Sequence, residues 1–292
     1  MKAKKFHLNP IIKPNPMSIW ESKYVFNPGV IYDKGVFHML YRAQGADMVS
    51  RLGYAVSIDG VNFNRMSHPV LEPTEMDEVY GLEDPRIVKF GHEFYIFYTV
   101  FSPLGIAVKV AKTENFIHYF DKQTILTNYR KDPTLFPEKI GKNYFLLCSE
   151  NDKIVILKGT EFKELKASKV LALPSESGWD SVHIGPSAPP IKTEYGWLLL
   201  YYGVETVIKP IFRLGMMLLD LKDPSKVIKR SREAILEPSL SWEISGGVPH
   251  AIFACSMIQK DEKFHIYYGG ADSAIGVATL EEKVVYDWIK ES

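Results

Sequence analysis

The sequence predicts an all-β protein built from five successive four-stranded units. Three observations predict it. A proline-led apolar strand, a polar turn and a second apolar strand recur five times along the chain. A weaker hairpin follows each copy. The prolines that mark the copies, Pro28, Pro85, Pro133, Pro189 and Pro249, are separated by steps of 57, 48, 56 and 60 residues. Four-stranded repeats of that length form the blades of propellers, so five repeats predict a five-bladed β-propeller. A β-sandwich also spaces its strands this way. It does not, however, require the same order of features to return, and here the order returns.

Residues 1–20 hold Pro10, Pro14 and Pro16 and read as an extended lead-in. The first copy runs over 27–32, turns at Asp33-Lys34-Gly35 and comes back over 36–42. The second runs over 84–90, turns at Gly91-His92-Glu93 and comes back over 94–98. The third covers 132–136 and 143–148, the fourth 188–191 and 197–202, the fifth 248–253 and 264–268. The following hairpins open at 52–56, 105–108, 153–156, 214–218 and 275–278. Helical periodicity is weak except for a short terminal helix over 283–290. No linker or low-complexity stretch interrupts the chain, which reads as a single domain over 1–292.

Composition narrows the functional class. Thirty-five basic and thirty-five acidic residues cancel, which argues against nucleic acid or an anionic membrane as a partner reached through bulk charge. The two cysteines, Cys148 and Cys255, lie in apolar runs and read as buried thiols, not a disulfide framework. No Cys/His cluster suggests a metal. Residues 1–16 lack the apolar core of a signal peptide, and no apolar run is long enough to span a bilayer. The simplest reading is a cytoplasmic protein, and a homo-oligomer is compatible with it.

The chain is organised around Gly81-Leu82-Glu83-Asp84-Pro85-Arg86. Pro85 fits a strand start or a bulge and is expected to push Asp84 into an extended conformation. Arg86, two residues on, points to the same side. In a propeller the innermost strands begin at one end of the central channel. Their leading residues, Asn27, Asp84, Asp132, Gly185-Pro186-Ser187 and His250, are therefore expected to converge. The ends of the second strands add Arg42, Glu150, Glu205 and Asp272. Such a ring of acids, amides, arginine and histidine suits the many hydroxyls of a sugar. Tyr24, Tyr41, Tyr80, Trp179 and Trp242 are candidates to stack on sugar faces, although most aromatics of a β-protein are core.

Several motifs carry a family resemblance. They are Glu83-Asp84-Pro85-Arg86, Leu135-Phe136-Pro137-Glu138, Pro189-Pro190-Ile191 with Gly196-Trp197, Arg213-Leu214-Gly215, and Tyr268-Gly269-Gly270-Ala271-Asp272. Together they resemble glycoside hydrolase family 130, from about residue 25 to residue 278. The resemblance implies a five-bladed propeller acting on β-mannosides, as an inverting phosphorylase or as a hydrolase. No cofactor or metal is expected, since inversion with two carboxylates needs none. The resemblance also implies that Asp84 is the proton donor, acting directly or through a sugar hydroxyl. It implies that Asn27, Arg42 and Asp272 hold the mannose beside the cleaved bond, with Arg51 a weaker match.

Three departures bear on the reaction. Where the family's phosphorylases carry an arginine-proline pair, this chain has Ser149-Glu150. Where they carry histidine on phosphate, it has Tyr202, and a lysine becomes His183. Lys131, with Arg130 nearby, remains as a basic contact. A phosphate dianion needs several cationic donors, and a carboxylate at about 4 Å in an intermediate dielectric repels it by several kcal/mol. The expectation is thus an inverting, exo-acting β-mannosidase that releases mannose from β-1,2-linked mannosides, with Asp84 as acid, Arg86 holding it, and Glu150 or Glu205 as base. The alternative is a β-mannoside phosphorylase using phosphate through Lys131, Arg130 and His183. A non-catalytic sugar-binding propeller is the third reading, and the intact Glu-Asp-Pro-Arg loop argues against it.

Overall fold

The computed structural model describes residues 1–127 and 130–291. The architecture is all-β, in five antiparallel groups that follow one another along the chain. After β1 (Lys4–Lys5) comes the first group: β2 (Tyr24–Asp33), β3 (Val36–Gln44), β4 (Ser50–Ser57) and the two-residue β5 (Asn64–Arg65). The second comprises β6 (Gly81–Phe90), β7 (Glu93–Ser102), β8 (Gly105–Thr113) and β9 (Tyr119–Leu126). The third comprises β10 (Arg130–Leu135), β11 (Tyr144–Glu150), β12 (Lys153–Gly159) and β13 (Lys166–Ala172). In the fourth, β14 (His183–Pro186) and β15 (Ile191–Lys192) both pair with β16 (Trp197–Val204), followed by β17 (Phe212–Leu219) and β18 (Val227–Arg230). Its inner strand therefore begins earlier than the expected residue 188, because Ser187 to Pro190 bulge out between two short paired segments.

The fifth group corrects the reading of the N-terminus. A one-turn helix, α1 (Ser241–Ile244), precedes β19 (Ile252–Lys260), β20 (Lys263–Gly270) and β21 (Ala274–Glu281). Its fourth strand is β1, which pairs with β21, and Ile12 bridges to Ile275. The lead-in is thus extended because it completes a sheet. The terminal helix, α2 (Glu282–Lys290), follows β21 directly and buries Val285.

The core lies between the groups. One apolar cluster joins the first group to the second through Leu52, Leu82 and Ile96, another the second to the third through Phe97 and Leu146. A third joins the third to the fourth through Leu147 and Leu199, a fourth the fourth to the fifth through Leu200 and Ile266. The last packs the fifth back on the first through Tyr267 and Met39. Strands such as β16 are covered on both faces, which explains their unbroken apolar runs.

Three of the innermost strands share a local device. The ladder of β2 shifts register between Phe26 and Gly29, that of β6 between Glu83 and Arg86, and that of β10 between Lys131 and Thr134. In each bulge the residue before proline is left-handed: Asn27 has φ 48°, Asp84 φ 55° and Asp132 φ 59°. The expected extended conformation of Asp84 is corrected here. Asp and Asn tolerate this region better than other non-glycine residues. The extra residue of a bulge re-aims its side chain out of the ladder. Each such residue stores on the order of 1–3 kcal/mol of strain, which the surrounding structure must offset.

Candidate active site

Those three bulges point their side chains at one cavity of ≈ 180 Å³. Asn27, Asp84 and Asp132 line it from the inner strands, and Arg42, Lys131 and Asp272 join them. Larger hollows elsewhere, such as that between Lys229 and Trp288, lack this convergence of acids.

Asp84 is held from several sides. Asn27 Nδ2 donates to its Oδ1 at 2.8 Å, and Arg42 Nη1 lies 3.4 Å from the same oxygen. Arg42 Nη2 is paired with Glu83 at 2.6 Å, and its Nε donates to Ser50 Oγ at 2.8 Å. Beneath them Arg86 is fully buried. Its guanidinium donates to the backbone carbonyl of Asp84 at 2.8 Å and to that of Ser187 at 3.1 Å, and it pairs with Asp132 Oδ1 at 3.3 Å. Arg86 thus ties the second, third and fourth groups together, and it grips the backbone of Asp84 rather than its carboxylate. The cation next to the Asp84 carboxylate is Arg42 instead.

Asp132 takes its second bond from Tyr202 OH at 2.9 Å. Tyr202 OH is also 2.9 Å from His183 Nε2, which lies 3.4 Å from Ser149 Oγ. Tyr202 and Ser149 are buried below the cavity and do not line it. Burial, then Lys131, lowers the pKa of His183. Burial, then Asp132, pushes the Tyr202 phenol well up. Both are therefore neutral near pH 7.

Two carboxyls bear on the charge of the cavity. Burial pushes Asp272 up to about 7 against the pull of Arg42, with Asp84 and Glu83 adding to the rise. Burial also raises Glu83, again against Arg42. Lys131 makes no ion pair among the described residues and faces the cavity.

The remaining sequence candidates lie elsewhere. Glu150 is paired with Arg130 at 2.5 Å and Glu205 with Arg213 at 2.6 Å, and neither lines the cavity. Arg51 is held by Asp47 at 2.8 Å, also outside it. His250 is exposed, next to the lining residue Ala251. Tyr41 is buried on Glu21, Trp179 packs on Tyr201 and Trp242 stacks on Tyr268, whereas Tyr24 and Tyr80 reach solvent. Sequence reasoning missed Glu83 as a lining residue although it stands inside the central motif. It also missed Thr99, Phe212 and Phe253. Only the register Glu83↔Thr99 places Thr99 there, and that pairing is not written in the residue itself.

A family sequence model described as beta-1,4-mannooligosaccharide phosphorylase matches residues 2–291. The chain is 41% identical to a 1,2-beta-oligomannan phosphorylase of Thermoanaerobacter sp. (strain X514), covering 97% of this chain and 98% of that protein. It is 39% identical to a beta-1,2-mannobiose phosphorylase of the same organism, covering 94% and 96%. Among solved structures it is similar to the beta-1,2-mannobiose phosphorylase of Listeria innocua in complex with beta-1,2-mannobiose, with TM-score 0.91, 25% identity and 99% of each chain covered.

These likenesses overturn the expectation of a hydrolase, since the relatives are phosphorylases. The charge argument behind that expectation also fails in the structure. The Glu150 carboxylate is already met by Arg130, and Tyr202 spends its hydroxyl on Asp132. Neither faces an anion in the cavity.

Proposed function

The chain belongs to glycoside hydrolase family 130, and on that premise we propose that it is a phosphorylase of β-1,2-linked mannosides. The coarser statement, an enzyme acting on β-mannosides, follows from the family itself. The observation that carries the finer reading is the 41% identity to a 1,2-beta-oligomannan phosphorylase along 97% of the chain. The cavity supports it in two ways. Lys131 offers a cation not already paired among the described residues, and the raised Asp272 and Glu83 leave less negative charge than a formal count gives.

In this reading the non-reducing mannose sits among Asn27, Arg42 and Asp272. A phosphate oxygen attacks its C1 from the side opposite the leaving group. The C1–O bond breaks and the leaving oxygen takes the proton of Asp84, directly or through a sugar hydroxyl. The products are mannose 1-phosphate of inverted configuration and a mannoside one unit shorter. No second carboxylate is needed to activate the nucleophile, so Glu150 and Glu205 have no catalytic part. Asp132 and Arg86 position Asp84, and His183 and Tyr202 brace Asp132 from below. The same reading treats residues 1–292 as one domain and the five strand groups as the blades of a five-bladed propeller. The apolar cluster between the fifth group and the first supports a closed ring.

The test is an incubation with β-1,2-mannobiose, with and without inorganic phosphate. Mannose 1-phosphate formed only with phosphate is the expected result. Release of free mannose at the same rate without phosphate contradicts the reading.

A further inference from the structure

We propose that Phe101 and Tyr80, reached from the cavity-lining Thr99 along β7, form a track that receives the leaving part of the oligosaccharide, so that chain length is read there. The proposal rests on the reading of the cavity as a β-mannoside site. At ≈ 180 Å³ the cavity is smaller than the roughly 300–1,000 Å³ of pockets that enclose drug-sized ligands. It has room for one hexose, and the rest of an oligosaccharide must lie outside its mouth.

Strand register gives the direction out. Glu83 and Thr99, both lining the cavity, face each other across β6 and β7, and two residues outward Gly81 faces Phe101. Alternation keeps Phe101 on the same face as Thr99, about 7 Å further along the strand. Tyr80 precedes Gly81, and its backbone N–H donates to the carbonyl of Phe101 at 3.0 Å.

The side chains suit a sugar in sequence. Thr99 is 5% exposed, yet its Oγ1 has no hydrogen-bond partner among the described residues. An orphaned buried hydroxyl costs about 1–3 kcal/mol, which a ligand hydroxyl in the cavity would relieve. Phe101 and Tyr80 are 43% and 49% exposed, with ring centroids 5.4 Å apart at 45°. Two adjoining rings left in water, one step of strand alternation beyond the cavity-lining Thr99, offer an apolar floor for the C–H face of a mannosyl unit, whose hydroxyls stay hydrated. The approach to Tyr80 is also anchored. The fully buried Lys109 Nζ donates to Glu75 at 2.7 Å, Asp77 at 2.6 Å and Glu78 at 3.2 Å. A platform held in place before the ligand arrives loses little freedom on binding.

The experiment is calorimetric binding of β-1,2-mannobiose and β-1,2-mannotetraose to the full chain, without phosphate. The wild-type protein is expected to bind the tetraose more tightly. Phe101→Ala and Tyr80→Ala should each raise the tetraose-to-biose ratio of Kd by about three- to tenfold, the worth of one aromatic contact. Thr99→Val should weaken both sugars together, and Thr99→Ser, which keeps the hydroxyl, should bind them nearly as the wild type does. No preference for the tetraose, or an unchanged ratio in both aromatic variants, overturns the proposal. Absence of phosphate-dependent cleavage strikes the phosphorylase reading alone, because binding is read without phosphate.

Discussion

Arg86 is the strut that holds Asp84, the proposed acid, and Arg86→Met removes it. The guanidinium makes bonds in three directions, to the Asp84 carbonyl, the Ser187 carbonyl and the Asp132 carboxylate, all out of water. Methionine fills much of the volume but leaves Asp132 buried with, among the described residues, only the Tyr202 hydroxyl as donor. Removing one partner of a buried ion pair costs about 3–5 kcal/mol. With an unfolding entropy of ~2.1 cal/mol/K per residue, that loss lowers the Tm of a chain this long by roughly 5–8 °C. Asp84 also loses the clamp on its left-handed backbone, and a displacement of about 1 Å at a reacting group costs on the order of a hundredfold in rate. Arg86→Lys keeps the charge but cannot reach three acceptors with a planar fork. It should recover part of the Tm and little of the kcat. Calorimetric melting and initial rates of mannose 1-phosphate release read the two effects separately. If Arg86→Met melts within about 1 °C of wild type and keeps its kcat/KM, the strut does not exist.

Asp84→Asn keeps a residue that tolerates the left-handed backbone and should lower the rate on β-1,2-mannobiose by about 10²–10⁴-fold. An aryl β-mannoside, whose leaving group needs little protonation, should lose much less, and an equal loss on both substrates would deny Asp84 the role of acid. Lys131→Gln should raise the KM for phosphate by about ten- to a hundredfold, as expected for a lost charge-assisted bond, and raise the KM for the mannoside less. Equal effects on both would remove Lys131 from the phosphate. Asp272 is raised from its usual 3.8 to about 7, so between those values the folded protein holds a proton that the unfolded chain has released. Its contribution to stability therefore falls as pH rises from about 4 to about 7 and is steady outside that window. Relative to Asp272→Asn, the wild-type Tm should drop across that range, and a wild-type Tm that rises there relative to the variant would refute the assignment.

The strand order was legible because it is written in repeated local chemistry. The proline, the polar turn and the second apolar run return in each unit, and in the first three the observed hairpin follows them. In the fifth the first strand starts at Ile252, because Pro249 and His250 lie in a turn ahead of it. The fourth unit was read late, since Gly185-Pro186-Ser187 hides a paired strand behind residues that usually mark loops. The N-terminal strand was not legible because two lysines at 4 and 5 carry no strand signal of their own. They pair only because β21 presents a free edge beside them. The bulges were half legible. Proline announced the break in the ladder, but the rule for residues before proline pointed to an extended Asp84, and the demands of the bulge overrode it.

The choice between water and phosphate failed for a more general reason. Each substitution was scored by its own formal charge, as though it faced the substrate alone. Glu150 counts against an anion only while unpaired, and Arg130 stands 2.5 Å from it. Tyr202 counts as a lost cation only if it lines the cavity, and it is buried beneath Asp132 instead. Conversely, Asp272 and Glu83 count as full negative charges in the sequence, yet burial raises both. A dianion responds to the charge that remains after pairing and protonation. That remainder depends on pairings such as Arg130↔Glu150 across β10 and β11 and on burial, which no single position reveals. Charge pattern alone therefore discriminates poorly between two nucleophiles in one cavity, whereas Lys131, which makes no ion pair among the described residues, is the cation through which the proposed phosphorylase would favour phosphate.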